Sequence, residues 1–332
     1  MNVSKLDRQG LMEMMAGYQP ACVVGAAAEL EVFSALGDQS LSSAELTSRL
    51  EVNPRALTML LDALAALGVL EKEGERYQVP VELRPLLRSD GPETYLPMIW
   101  HRMVILRGWA NLAWTVKAGI PAPRPASIRG AAADSAAFIA AMHSVSGPLA
   151  AGLVARFGPP PFTQLLDVGG ASGTWTLAFL RARPGTRAVI FDLPHAIDQA
   201  QARFAGTEFA DRVSFSPGDF YQDELPKGAD LAWVSAIVHQ NSRSQNRELF
   251  AKVHRALTPG GLIGIRDIVM EPDRTRPVEG ALFAINMLVN TPSGTTFTFA
   301  ELAEDLQAAG FHDPKLAIQD KAMSSVVTAV RP

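Results

Sequence analysis

The residues whose types and spacing could do chemistry lie in the second half of the chain, at the ends of short apolar runs. In LLDVGGASGTW, residues 165–175, one such run carries Asp167 and gives way to Gly169, Gly170 and Gly173 before the helix-like WTLAFLRAR. Small residues at a turn of this kind let a ligand approach the backbone where a helix begins. Next, AVIFDLP puts Asp192 at a run's end, 19 residues after Gly173, where a carboxylate can accept from both hydroxyls of a ribose. The third run, RVSFSPGDFY, closes on Asp219 and Phe220, an acceptor for an exocyclic amine beside a ring that can stack on a base. Three acids after three successive strands point to a nucleoside, since open α/β sheets bind ligands at the carboxyl ends of their strands.

Two nucleotide-like ligands compete for the turn. A dinucleotide fingerprint would need glycines at 169, 171 and 174, and the chain has Ala171 and Thr174. S-adenosylmethionine, a cation with an amino-acid tail and no phosphate, does not need pyrophosphate geometry. Asp167 is placed to meet its ammonium group directly or through water. A fourth run, LAWVSAIV, leads to His239, which on its own is either a proton acceptor or an ordinary polar residue after a buried strand.

These residues need a framework. The chain has 332 residues, 48% hydrophobic and 19% charged, enough for two or three domains with ample core. A net charge of −4 gives no general field for nucleic acid or anionic membrane. Cys22 is the only cysteine, which excludes an intrachain disulfide and fits a reducing compartment. With no signal-like N-terminus and no run of eighteen apolar residues, the expectation is a cytoplasmic protein.

Near residue 158 the pattern changes. Before it, apolar residues recur mainly at helical spacing; after it, β-rich runs alternate with helical ones, the signature of a parallel α/β domain. Residues 41–79 read as helix, turn, helix and a two-stranded wing turning at Gly74, with Ser42 or Ser43 capping the first helix and Asn53–Pro54 starting the second. This winged-helix pattern raises the possibility of a DNA-binding regulator that keeps a cofactor domain as sensor. The second helix, PRALTMLLDALAALGVL, offers only Arg55 to a groove, and the wing EKEGER is charge-balanced. Its apolar positions nearly encircle it, so it is expected to be buried in a scaffolding or dimerisation unit. The expected division is 1–95 for that domain, 96–157 for a helical connection and 158–332 for the ligand-binding domain.

Taken together, LLDVGGASG, FDLP, GDF, the strand reaching His239, LTPGGLIGIRD, NMLVNTPSG and FTFAELAEDLQAAGF resemble the S-adenosylmethionine-dependent O-methyltransferases with an N-terminal winged-helix dimerisation domain, over nearly the whole chain. The resemblance implies a Rossmann-like, seven-stranded class I methyltransferase domain in strand order 3-2-1-4-5-7-6 with the last strand antiparallel, an intertwined homodimer, and turnover of S-adenosylmethionine to S-adenosylhomocysteine. It implies that Asp192 binds ribose, that Asp219 and Phe220 bind adenine and that Gly169 approaches the methionine part; Asp167, Gly170, Gly173 and Leu193 are the further candidate cofactor contacts. Ser235 stands where many members have a cofactor-contacting lysine.

For catalysis, the resemblance places the general base of an HDW motif at His239, here followed by Gln240 and Asn241. Where members have a glutamate in G-x-E-R-T, this chain reads GTTFT, with Thr296 at the acid's position. Strands four and five are neighbours in the implied order, so Asp267, at the end of LIGIRD, is the candidate to orient His239. A phenol is a poor nucleophile until deprotonated, which gives such a base its work. Candidate acceptor contacts are Phe138 and Met142 in FIAAM, Trp100 and Met103 on an earlier helix face, and Phe283, Asn286, Met287 and Asn290 on a later one; His101 and His143 flank them. Buried carboxamides need partners, and a polar acceptor would supply them for Asn286 and Asn290. No spacing resembles a metal site, and Ser172 lacks the nucleophile-elbow context. The expected activity is methylation of a hydroxyl on a small aromatic molecule; methylation of nitrogen or carbon, or a non-methylating reaction, would use the same fold.

Overall fold

Short runs rich in Val, Ile, Leu and aromatic residues form one seven-stranded sheet: β1 (Gln164–Val168), β2 (Arg187–Asp192), β3 (Val213–Pro217), β4 (Ala229–Ser235), β5 (Leu257–Asp267), β6 (His312–Ile318) and β7 (Ser325–Val330). The computed structural model describes residues 6–91 and 93–332, without the side chains of 139 and 143–146. Strand order is β6-β7-β5-β4-β1-β2-β3, the expected 3-2-1-4-5-7-6 read from the other edge. β7 runs antiparallel to both neighbours, while β5, β4, β1, β2 and β3 pair in parallel.

Both faces of this sheet are covered, which explains why its strands read as continuous apolar runs. Side chains alternate between two cores. Leu166, Val168, Ala232, Val234, Ile263 and Ile265 face one, beneath α3 (Arg243–Ala256) and α5 (Phe299–Ala308). Leu165, Ile190, Leu231 and Trp233 face the other, beneath α1 (Thr174–Ala182) and α2 (Pro194–Phe204). Full burial of one such side chain contributes about 1.5–3 kcal/mol. The remaining helix of this half, α4 (Val278–Asn290), follows β5. Local chemistry sets the helix starts: Ser242 with Gln245, and Thr298 with Glu301, form capping boxes on α3 and α5.

The chain forms two compact units, one of residues up to Arg107 with Arg124–Ser144, the other of Gly108–Pro123 with Val145–Pro332. In the first, helices Ser43–Leu50 and Pro54–Ala66 are joined to wing strands Glu71–Glu73 and Arg76–Gln78, which turn at Gly74. Leu41–Ser42 adds a third strand. Ser42, rather than Ser43, caps the first helix in a capping box with Glu45, and Asn53 accepts from the Ala56 N–H to cap the second. Burial of the second helix is narrower than its composition suggests. Leu57, Leu61 and Leu64 form a buried stripe, while Arg55, Met59 and Asp62 are exposed.

One helix is long and largely apolar although no eighteen apolar residues run together. Ala131–Phe157 is 27 residues, long and apolar enough by length and composition to cross a membrane. Its alanine richness allows this without eighteen consecutive apolar residues. Asp134 near its start accepts from the Ser127 hydroxyl and N–H, and Ala150, Leu153 and Val154 near its end pack into the core beneath α1.

Candidate active site

The glycine-rich turn is closely packed from several sides. Gly169 has φ +68° and donates its N–H to the Phe191 carbonyl at 2.8 Å; a Cβ there would lie 2.6 Å from Ile237 Cδ1. No side chain fits, so backbone stays open to a ligand at the end of β1. Added Cβ atoms would likewise collide at Gly170, 2.9 Å from Asp167 and Ile190, and at Gly173, 2.5 Å from Phe204. Between them Ala171 adopts a left-handed φ of +46°, a conformation glycine would take without strain.

The three acids sit at the carboxyl ends of β1, β2 and β3. Asp167 is buried; its Oδ2 accepts from the Thr176 hydroxyl at 2.6 Å and N–H at 3.2 Å, while Oδ1 has no partner. Burial pushes its carboxyl up to about 6, against the opposing Thr176 hydrogen bonds. Asp192 accepts the Ala171 N–H at 2.7 Å on one oxygen and the Leu193 N–H at 2.7 Å on the other, and burial raises its pKa despite these bonds. Leu193 is exposed. Asp219 accepts from the Tyr221 N–H and Gln222 Nε2, fixing the turn that carries Phe220. Lys252 Nζ holds that turn by donating to the carbonyls of Phe220 and Asp223, both at 2.9 Å. Phe220 comes close to the glycine turn: a Cβ on Gly169 would lie 3.9 Å from its ring.

His239 lies in a single 3-10 turn, Val238–Gln240, after β4. Its Nδ1 is 2.9 and 3.0 Å from the two carboxylate oxygens of Asp267, at the end of neighbouring β5. Asp267 is 1% exposed and also accepts the Ile268 N–H at 2.8 Å. A carboxylate only accepts, so Nδ1 carries the hydrogen and Nε2 is the basic nitrogen. The edge of the imidazole meets the Phe283 ring of α4 at 4.9 Å between centroids. Thr296 is buried nearby in sequence to Thr295, whose N–H donates to the His239 carbonyl at 2.9 Å. Thr295 therefore holds the backbone of the histidine, and Asp267 holds its ring.

Gln240 and Asn241 supply no acid, but Asn241 has a structural task. Fully buried, it accepts from the Tyr221 hydroxyl at 2.5 Å and donates to Asn246 at 3.0 Å; Asn246 in turn donates to the Val238 carbonyl at 3.0 Å. Ser235 accepts from Arg266 Nη1 at 3.1 Å. Neither link has a local signal in the sequence, because each joins residues on separate elements.

The proposed acceptor contacts are less uniform. On α4, Met287 is buried and Asn286 and Asn290 are half-buried. Their amides do not wait for a ligand: Asn286 Oδ1 accepts from Trp109 Nε1 at 3.1 Å and from Asn290 Nδ2 at 3.0 Å. The protein itself thus supplies partners for the Asn286 carbonyl and the Asn290 NH2. Trp109 is the residue the sequence reading missed. In the N-terminal unit, Trp100 donates Nε1 to the Ala28 carbonyl at 3.0 Å with the Arg129 guanidinium on its ring, and Met103 lies against Gly25, where a Cβ would meet its sulfur. Phe138 and Met142 are exposed, and Phe138 packs on His101 at 5.1 Å. The side chain of His143 lies outside the described residues. Among the described residues no group of three or more His, Cys, Asp or Glu could hold a metal ion.

Residues 106–312 match the family model of the O-methyltransferase domain, and residues 12–80 that of the O-methyltransferase dimerisation domain. The chain belongs to the S-adenosylmethionine-dependent O-methyltransferases that carry an N-terminal dimerisation domain. This O-methyltransferase is 34% identical to the tetracenomycin polyketide synthesis 8-O-methyl transferase TcmO of Streptomyces glaucescens over 90% of this chain and 89% of that one. It is 30% identical to acetylserotonin O-methyltransferase of Bos taurus, over 91% and 92%. A relative of another chemistry, the N,N-dimethyltransferase OxyT of Streptomyces rimosus, is 26% identical over 98% of this chain and 96% of that one. In fold, the O-methyltransferase is similar to the solved structure of PigF with SAH, at TM-score 0.86, 24% identity and coverage of 98% and 100%. Its cofactor is S-adenosylmethionine, and the residues present fit it. Asp167 Oδ1 is a buried acceptor without a donor, and Gly169 leaves bare backbone beside Phe220.

Proposed function

We propose that this O-methyltransferase methylates a hydroxyl of a small aromatic acceptor of the phenolic or natural-product type, with His239 as general base and Asp267 as its orienter. The observation that carries the reading is the pairing of His239 Nδ1 with the buried Asp267 carboxylate at 2.9 Å. It fixes the tautomer, so Nε2 faces the work of taking the acceptor's proton, and it stabilises the imidazolium that results. When bound, S-adenosylmethionine supplies a methyl carbon on a positively charged sulfur. Asp192 and Leu193 are assigned to its ribose, Asp219 and Phe220 to its adenine, Asp167 and the turn of Gly169, Gly170 and Gly173 to its methionine part, and Ser235 to the strand end beside them. The chain's remaining contribution is alignment, holding the acceptor oxygen in line with the methyl carbon.

Acceptor contacts on the catalytic unit are Met287, Asn286 and Asn290, with the Asn286 carbonyl held by Trp109 and Asn290 held by Asn286. Phe138 and Met142, outward on their own helix, are apolar surface of the kind an aromatic acceptor needs; Trp100 and Met103 are spent on packing within the N-terminal unit. As to organisation, 1–95 is read as the dimerisation domain, 96–157 as a connection and 158–332 as the catalytic domain. The working form is read as a homodimer, supported by the helix Arg8–Ala16, which buries none of its residues and exposes Leu11, Met12, Met14 and Met15. With one cysteine and a net charge of −4, the reading is of a cytoplasmic enzyme without nucleic-acid or membrane partners.

The test is His239→Ala. Expected is a fall in kcat of about 100-fold or more, the usual worth of a positioned base, with S-adenosylhomocysteine affinity retained. Near-normal turnover would remove the base and favour an acceptor that needs no deprotonation, such as an amine, the chemistry named for OxyT.

A further inference from the structure

Two buried, oppositely charged atoms on one face of the sheet lack hydrogen-bond partners: Asp167 Oδ1 on β1 and Arg266 Nε on β5. Both side chains rise toward the first turn of α1. Asp167 accepts from Thr176, and the Arg266 guanidinium lies 4.6 Å from the ring centroid of Trp175, the preceding residue. β4 runs between their strands, and Ser235 at its end takes the 3.1 Å hydrogen bond from Arg266 Nη1. Arg266 is 3% exposed.

A buried guanidinium is ordinarily paired with a carboxylate, because desolvating an unpaired charge is unfavourable. Arg266 has none among the described residues. Asp267, next in the chain, projects from the opposite face and is engaged by His239 and the Ile268 N–H. Burial accordingly pulls the guanidinium down to about 10, with the neighbouring Asp267 charge opposing. Arg203, the other cation at the turn, spends Nη1 on Ser172 and Thr174. The same sheet edge thus presents a carboxylate oxygen short of a donor and a guanidinium short of an acceptor. An α-amino acid head group has the reciprocal pair, an ammonium and a carboxylate on one carbon.

We propose that Arg266 binds the α-carboxylate of the cofactor's methionine portion, completing with Asp167 a site for the amino-acid zwitterion. The inference rests on S-adenosylmethionine being the cofactor and is independent of the acceptor and of the base. Ser235 orients the guanidinium, and Trp175 supports it from one side.

Binding titrations of three ligands separate the possibilities: S-adenosylhomocysteine, its decarboxylated analogue, which keeps the ammonium, and 5′-methylthioadenosine, which lacks both groups. In the unaltered protein the decarboxylated analogue is expected to bind tenfold or more weakly than S-adenosylhomocysteine, since a charge-assisted hydrogen bond is lost. In Arg266→Met that preference is expected to vanish while 5′-methylthioadenosine binds within twofold of its original affinity; Arg266→Lys retains part of the preference. Equal affinity of the unaltered protein for the first two ligands overturns the proposal, even if the Met variant does not fold. So does a Met variant in which all three weaken in proportion, the mark of a structural role. Failure of all three ligands to bind the unaltered protein would instead overturn the cofactor assignment, and this inference with it.

Discussion

His239 and Asp267 meet across two neighbouring strands, with Nδ1 2.9 Å from a carboxylate that is almost wholly buried. The pairing joins the end of β4 to the end of β5, so the sheet itself sets the distance. Asp267 is anchored a second time by the Ile268 N–H, which keeps the carboxylate from following the ring if the ring moves.

Asp267→Asn tests what this geometry does. The amide is nearly isosteric, but its NH2 can turn toward Nδ1 and favour the tautomer that leaves Nε2 protonated. Expected is a fall in kcat of about 100-fold or more, with little change in S-adenosylhomocysteine affinity. A loss confined to KM would assign Asp267 to acceptor binding instead.

Asp167 predicts a pH effect on cofactor binding. Its folded pKa is raised to about 6, so in the free protein the charged form is penalised and stability from this group falls as pH rises from about 4 through 6. A bound ammonium favours the charged form and lowers that pKa. Binding of S-adenosylhomocysteine at pH 6 should therefore release up to about half a proton, and should tighten as pH rises through 6. Calorimetry in buffers of different ionisation enthalpy reads the proton directly. Uptake of a proton would contradict the assignment, and Asp167→Asn should abolish the release.

Much of this site was legible in the sequence because its parts are strand ends. Short apolar runs located the strands, and the acids in LLDV, AVIFD and SPGD fell at one edge of the sheet. The His239–Asp267 proximity followed from the strand order that the family resemblance implied. What escaped was satisfaction at a distance. Asn286 finds Trp109, 177 residues earlier, and Ser235 finds Arg266 on the neighbouring strand. Periodicity reports which side of an element faces inward and carries no information about which polar group waits there. The helix Pro54–Ala66 erred the other way: apolar on most sides, it buries one stripe, since the rest of its surface lies outside the unit's own core.

Ala171 makes a stability prediction. Its left-handed φ of +46° disfavours any residue with a Cβ by roughly 1–2 kcal/mol, and glycine's greater freedom in the unfolded chain offsets about 0.5–1 kcal/mol of the relief. Ala171→Gly should raise unfolding stability by about 0.5–1 kcal/mol while keeping the N–H that Asp192 accepts. Denaturant titration measures it, and a destabilised variant would show that the methyl group packs usefully.

Asn241 ties the cofactor side of the site to the histidine turn. Its carboxamide joins the Tyr221 hydroxyl, one residue from Phe220, to Asn246, whose amide holds the Val238 carbonyl beside His239. Removing it leaves buried polar groups unsatisfied, at a cost of about 1–3 kcal/mol each. Asn241→Ala should therefore destabilise by about 2–3 kcal/mol and lower kcat, while Tyr221→Phe, which strips one donor from a partly exposed ring, should lose about 1 kcal/mol. Because the two share one hydrogen bond, the double variant should lose less than the sum of the single losses. Strict additivity in unfolding titrations would mean that the bond carries no coupling, and that the turn bearing His239 is held by Asn246 and the 294–296 segment alone.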